Sequence, residues 1–126
     1  MSGNNYQYDN PLRETYRWLA EPCNSGVSLI DGFVGPAGMK GRVVNIATVR
    51  VAGFASDTTL DVKDGNNDLA VSHTITAGAG GGYNAIPRAD LANIPELAAD
   101  TGVAFWSNGE SASGTANITL TIDWYN

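Results

Sequence analysis

The cleanest pattern lies near the end of the chain. In "GTANITLTIDWY", Ala116, Ile118, Leu120, Ile122 and Trp124 alternate with Asn117, Thr119, Thr121 and Asp123. A period of two puts the apolar set on one face of an extended chain, which predicts a half-solvated antiparallel strand. "TTLDVKDGNNDLAVSHTIT" reads as a hairpin. Leu60 and Val62 lead into "DGNND", and Leu69, Val71 and Ile75 follow on one face, with Asp-Gly as the turn signal. "GVSLIDGFV" predicts a strand that buries Val27, Leu29 and Phe33. In "RVVNIATVRVAGF", Val44 and Ile46 share one phase and Val49 and Val51 the other. A bulge near Ala47–Thr48, or burial of both faces, reconciles them. "GVAFWSNGESASG" predicts a further strand and a hairpin loop through Asn108–Gly109. "RADLANIPELAAD" has room for a helical turn capped by Asp90 and limited by Pro95.

Strands at this spacing, with turn residues between them, predict an all-β antiparallel sandwich or jelly roll rather than βαβ units. At 126 residues the chain is one domain's worth. Residues 26–126 carry the β pattern. Residues 1–25 differ: they hold three of the five tyrosines together with Arg13, Arg17 and Trp18. Pro11–Ala20 fits a short helix with Asn10 as N-cap, and "TYRWLA" fits a terminal strand equally well. Aromatic and Arg side chains are enriched at interfaces, so Tyr6, Tyr8, Arg13, Tyr16, Arg17 and Trp18 are candidate interface residues on an N-terminal arm.

Composition and charge narrow the function. Charged residues make up 16% of the chain and the net charge is −6. Without a basic run there is little to displace counterions from phosphates, which argues against nucleic acid and against an anionic membrane. No stretch approaches the ~20 apolar residues of a membrane span. The N-terminus lacks the apolar run of a secretion signal, so the expected place of synthesis is a cytoplasm. A single cysteine, Cys23, cannot form an internal disulfide.

Four glycines fall within "GAGGG" (Gly78, Gly80, Gly81, Gly82), but Tyr83–Asn84 follow where a nucleotide loop needs Lys and Ser or Thr. The expected role is a loop or a close backbone approach. "DVKDGNND" places Lys63 where a calcium loop needs an oxygen ligand and lacks its distal Glu. That leaves an improvised site from Asp61, Asp64 and Asp68 against a plain polar turn. His73 is the sole histidine, phased with Val71 and Ile75, and is expected in a core or an interface. No nucleophile motif accompanies it, so the chain is expected to be no enzyme and to need neither cofactor nor metal. Trp106, Trp124 and Tyr125 are candidates for a glycan surface.

Three stretches carry a family likeness. "GRVVNIATVRVAG" opens on Gly41, Arg42 and Val43; the Thr59–Val71 hairpin and an Ala/Gly-rich segment follow; Ala98–Ile122 closes with "SGTANITLTI". Over residues 41–124 this resembles small phage head decoration or head-fibre β-sandwich proteins. It departs from their usual Gly-Asp turn at Asp100–Thr101–Gly102, and the N-terminal arm lies outside the likeness. The resemblance implies a structural protein on the capsid surface of a virion. It also implies that the major capsid protein is the partner, that the chain is a dimer or trimer, and that there are no catalytic residues. The alternative is a carbohydrate-binding module on a virion surface or fibre.

Overall fold

A computed structural model describes residues 12–23, 28–65, 67–108 and 110–126. Eight strands are described: β1 (Leu12–Pro22), β2 (Ser28–Val34), β3 (Lys40–Ala52), β4 (Thr58–Asp64), β5 (Asn67–Ile75), β6 (Tyr83–Ala85), β7 (Gly102–Ser107) and β8 (Thr115–Tyr125). One helical turn, α1 (Arg88–Leu91), sits between β6 and β7. The strands form two four-stranded sheets, ordered β1-β8-β3-β6 and β2-β7-β4-β5. Every pairing is antiparallel.

The order has a simple origin. β4 pairs with β5, β3 with β6, β2 with β7 and β1 with β8, as in one long hairpin whose tip is the β4–β5 turn. Rolling that hairpin adds the β3–β8 and β4–β7 pairings and splits it into two facing sheets. This is the jelly roll, the all-β fold expected from the strand pattern.

The core is where the alternation puts it. Ala116, Ile118, Leu120 and Ile122 of β8 are fully buried, facing Leu60 and Val62 of β4 and Val103 and Phe105 of β7. Trp124 completes that face, and its ring leaves no room beside it. A Cβ at Gly35 would lie 2.3 Å from the ring, and one at Gly41 2.7 Å away. Each large side chain so buried contributes about 1.5–3 kcal/mol.

Two local expectations change, and one open alternative is decided. The register of β3 shifts at Val43/Asn45 and again at Arg50/Ala52, and not at Ala47–Thr48. The first bulge falls on Val44, so Val43, Ile46 and Thr48 face the core while Val49 and Val51 point outward. β7 and β8 do not form a hairpin. Val103, Phe105 and Ser107 belong to the second sheet, and the connection crosses to the first. Ser111 organises that crossing: its buried hydroxyl accepts from the Ala55 and Ser56 amides at 3.0 and 3.3 Å and donates to the Ser113 carbonyl. Finally, Leu12–Pro22 is the terminal strand and not the helix. Thr15, Tyr16 and Trp18 favour a pleated surface, and Tyr16 and Trp18 find aromatic partners on the sandwich's inner side. The side chains of Leu29 and Val71, and the whole of Val27, lie outside the described residues.

Candidate functional surfaces

The glycine run wraps an arginine. Arg50 Nε donates to the Ala79 carbonyl at 2.9 Å, and Nη1 donates to the Thr76 carbonyl at 2.8 Å and to its hydroxyl at 2.9 Å. The backbone closes the loop onto the same strand, Arg50 N to Gly82 O at 2.7 Å and Gly81 N to Arg50 O at 2.6 Å. A Cβ at Gly80 would come within 2.4 Å of the Val51 carbonyl, and one at Gly82 would strike the Arg50 guanidinium. A phosphate cradle needs N–H groups pointing inward. Here carbonyls converge on a cation, so the loop has the opposite polarity.

The acidic turn points Asp61 and Asp64 to opposite faces: along β4 the side chains alternate, so Asp61 faces out and Asp64 faces in. Asp61 accepts from the Ser72 hydroxyl, while Asp64 accepts from the Ala98 amide at 2.9 Å and from the Thr101 hydroxyl. The side chain of Asp68 lies outside the described residues. Among the described residues no three His, Cys, Asp or Glu side chains cluster as a metal site requires.

His73 is 3% exposed and spans the two sheets, its Nε2 2.9 Å from Thr48 Oγ1. Burial lowers its pKa to about 4, so the ring is neutral at pH 7. Next to it, between β5 and β6, is a polar cleft of about 240 Å³ lined by Ser72, Thr74, Thr76, Asn84 and Asp90 among others. Cys23 is fully buried, and desolvation raises its thiol pKa to about 11. Its sulfur lies 3.4 Å from the Glu21 carbonyl.

The interface candidates on β1 divide between the two faces of the strand. Tyr6 and Tyr8 lie outside the described residues. Tyr16 and Trp18 turn inward: Tyr16 stacks on Phe33 with centroids 3.8 Å apart, and Trp18 meets Phe105 edge-on at 5.6 Å. The Tyr16 hydroxyl accepts from Trp124 Nε1 at 3.0 Å and donates to Glu14 at 3.1 Å. Arg13 turns outward into a two-pronged ion pair with Asp123, and Arg42 approaches the same carboxylate at 3.9 Å. Arg17 is exposed on the same face. So Tyr16, Trp18 and Arg13 have partners within the chain, and Arg17 remains as a surface group.

The three candidates for a glycan surface are dispersed. Trp124 is 1% exposed, inside the core, and cannot join a surface platform. Tyr125 lies at the end of β8 with its hydroxyl on Glu96, which also meets Lys40 at 3.8 Å. Trp106 alone lies on an open face, the outer side of the second sheet. There it lines a groove of about 400 Å³ with Phe33, Val34, Gly102 and Ala104. Gly102 and Ala104 could have been found with Trp106 in the sequence: "GVAFW" alternates two small residues and a tryptophan on one face of a strand.

No protein-family model matches the chain, and no curated protein matches it. Among the described residues no helix is long and apolar enough to cross a membrane.

Proposed function

We propose that the chain is a non-catalytic structural protein of a phage virion, which decorates or cements the capsid and docks through β1 and the outer face of its sheet. The carrying observation is the edge itself. β1 is eleven residues long and lies at the rim of its sheet, with Leu12 48% and Leu19 74% exposed. Among the described residues no strand pairs with its outer side, and a long edge so placed invites pairing with another chain; natural folds cover such an edge or use it. β1 is fastened at its start by the Arg13–Asp123 pair, so it is presented as a firm ledge rather than a loose tail.

The adjoining surface suits docking. Across it Thr15 faces Thr121, Arg17 faces Thr119, and Asn117 faces Val49, which in turn faces Tyr83. Short polar side chains lose little rotamer entropy when an interface covers them. Val49, Val51 and Tyr83 supply exposed apolar area on the far side of the sheet. The proposed partner is the major capsid protein, with further copies of this chain completing a dimer or trimer at the capsid surface.

The test is co-sedimentation of the purified chain with capsids assembled from the same genome without it. Wild-type protein pellets with the capsids. The double variant Arg17→Glu, Leu19→Asp remains in the supernatant while keeping its melting temperature, because neither side chain is buried. If the double variant pellets like wild type, docking through β1 is excluded.

A further inference from the structure

The groove on the outer face of the other sheet has features that the capsid reading does not use. Its floor is made of residues with little or no side chain. Gly102 and Ala104 of β7 lie beside Gly32 of β2, and Gly65 closes one end. Space is held open there. A Cβ added at Gly102 or at Gly65 would meet nothing within 4 Å. Its walls are apolar, Val34 (62% exposed) on the β2 side and Trp106 at the other end.

Beyond the lining, the neighbouring strand β4 carries polar side chains in register with the tryptophan. Asp61 is the cross-strand partner of Trp106 on the same face, and Lys63 is the partner of Ala104. The Lys63 ammonium sits over the Trp106 ring, 5.4 Å from its centroid, so a sugar packs on that ring either from its other face or by swinging the flexible lysine aside. Ser72 extends the row from Asp61, to which its hydroxyl donates. The set is thus an aromatic plate, a bare floor beside it, and a carboxylate, an ammonium and a hydroxyl within one or two strands.

From this we infer that the groove is a saccharide site, in which Trp106 packs against the C–H face of a pyranose while Asp61 and Lys63 meet its hydroxyls. Sugar rings have one weakly apolar face and a periphery of donors and acceptors, which matches an amphipathic aromatic with polar neighbours. The volume lies in the range of small-ligand sites, roughly 300–1,000 Å³. A peptide would be held differently, by adding a strand along β2 through its backbone. The apolar floor and the β4 side chains Asp61 and Lys63 contribute nothing to that mode. The site lies on the opposite sheet from β1, so it stands or falls separately from capsid docking.

The experiment follows the three indole N–H resonances of the full chain by NMR during titration. The probes are cellohexaose, chitohexaose, maltohexaose and, as the peptide control, a proline decapeptide. The expected result is a saturable shift of the Trp106 signal with one of the oligosaccharides while the buried Trp124 signal stays in place. Gly102→Leu fills the groove from a position with open space above it and weakens that binding by at least about tenfold without lowering the melting temperature. Trp106→Ala abolishes the binding but leaves capsid co-sedimentation intact. The inference is overturned if no oligosaccharide moves the Trp106 signal at millimolar concentration, if the shift survives Gly102→Leu, or if only the decapeptide produces it.

Discussion

Arg13 and Asp123 stand 110 residues apart in the chain and meet through two hydrogen bonds of 2.7 and 2.9 Å. The pair clamps the first strand onto the last at a point where Asp123 is almost fully covered and the guanidinium is still largely in water. Hydrogen bonding to Arg13 holds the Asp123 carboxyl below its ordinary pKa, against the opposing effect of burial. A carboxyl with a depressed folded-state pKa contributes stability at pH values above its unfolded pKa, about 4. That contribution is lost as pH falls through the lower folded value. Arg13→Ala should therefore lower the melting temperature at pH 7, with the gap from wild type shrinking in acid. Thermal melts of both proteins from pH 7 to pH 2 measure this.

His73 gives a second and separate pH dependence. Its pKa drops from 6.5 to about 4 through burial. The unfolded chain therefore takes up a proton that the folded chain refuses. Stability is complete above pH 6.5 and falls as the pH drops from 6.5 towards 4, by up to about 3 kcal/mol. Urea titrations at stepped pH should show this slope in wild type. His73→Gln, which keeps a partner for Thr48 and cannot titrate, should flatten it.

Cys23 should be silent in the native protein. A thiol pKa of about 11 leaves almost no thiolate at neutral pH, and the side chain has no exposure. Ellman's reagent at pH 7.5 should label it only after urea is added. Stoichiometric labelling of folded protein would show that the strand end around Cys23 opens readily.

Two glycine substitutions should differ in sign. Gly80→Ala brings a Cβ within 2.4 Å of a backbone carbonyl that cannot swing aside, which should cost roughly 1–3 kcal/mol. Gly102→Ala adds its methyl to open space in a strand and should be neutral or slightly stabilising. Chemical denaturation of the two variants beside wild type compares them directly.

Strand phase was the feature most legible in the sequence. Period-two alternation named the five buried apolar residues of β8, because a strand half-exposed to water must keep one face apolar, but it put Asp123 on the solvent side, where the Arg13 pair instead covers it. The Asp64–Gly65 turn marked the β4–β5 hairpin for a similar reason, since Gly65 adopts a positive φ of 64°. What failed was anything set by a distant neighbour. The bulge at Val44 depends on β3 keeping register with β8, and the split of β7 from β8 depends on the crossing that Ser111 secures. β6 is only three residues long and carries no pattern of its own; it exists because β3 offers an edge to Tyr83–Ala85.

The candidate sites followed the same division. Residue type picked out Trp106 and Arg17, which lie on outer faces of the two sheets, but type alone grouped Trp106 with Trp124, which the core takes. Arg13 was picked out for the same reason, and only the register of β1 on β8 shows that it pairs with Asp123. The glycine run was read correctly as close backbone approach, but its purpose depended on Arg50, 28 residues before Gly78 and next to it only in space.

Hydrogen exchange of the β1 amides, free and on the capsid, tests the central proposal most directly. Protein bound to capsids assembled without it should gain protection across Leu12–Leu19 and along the outer face of that sheet, with the Trp106 strand unchanged. Binding that leaves the β1 amides exchanging as they do in free protein would contradict docking through that edge. Failure to bind these capsids at all would contradict the decoration role itself.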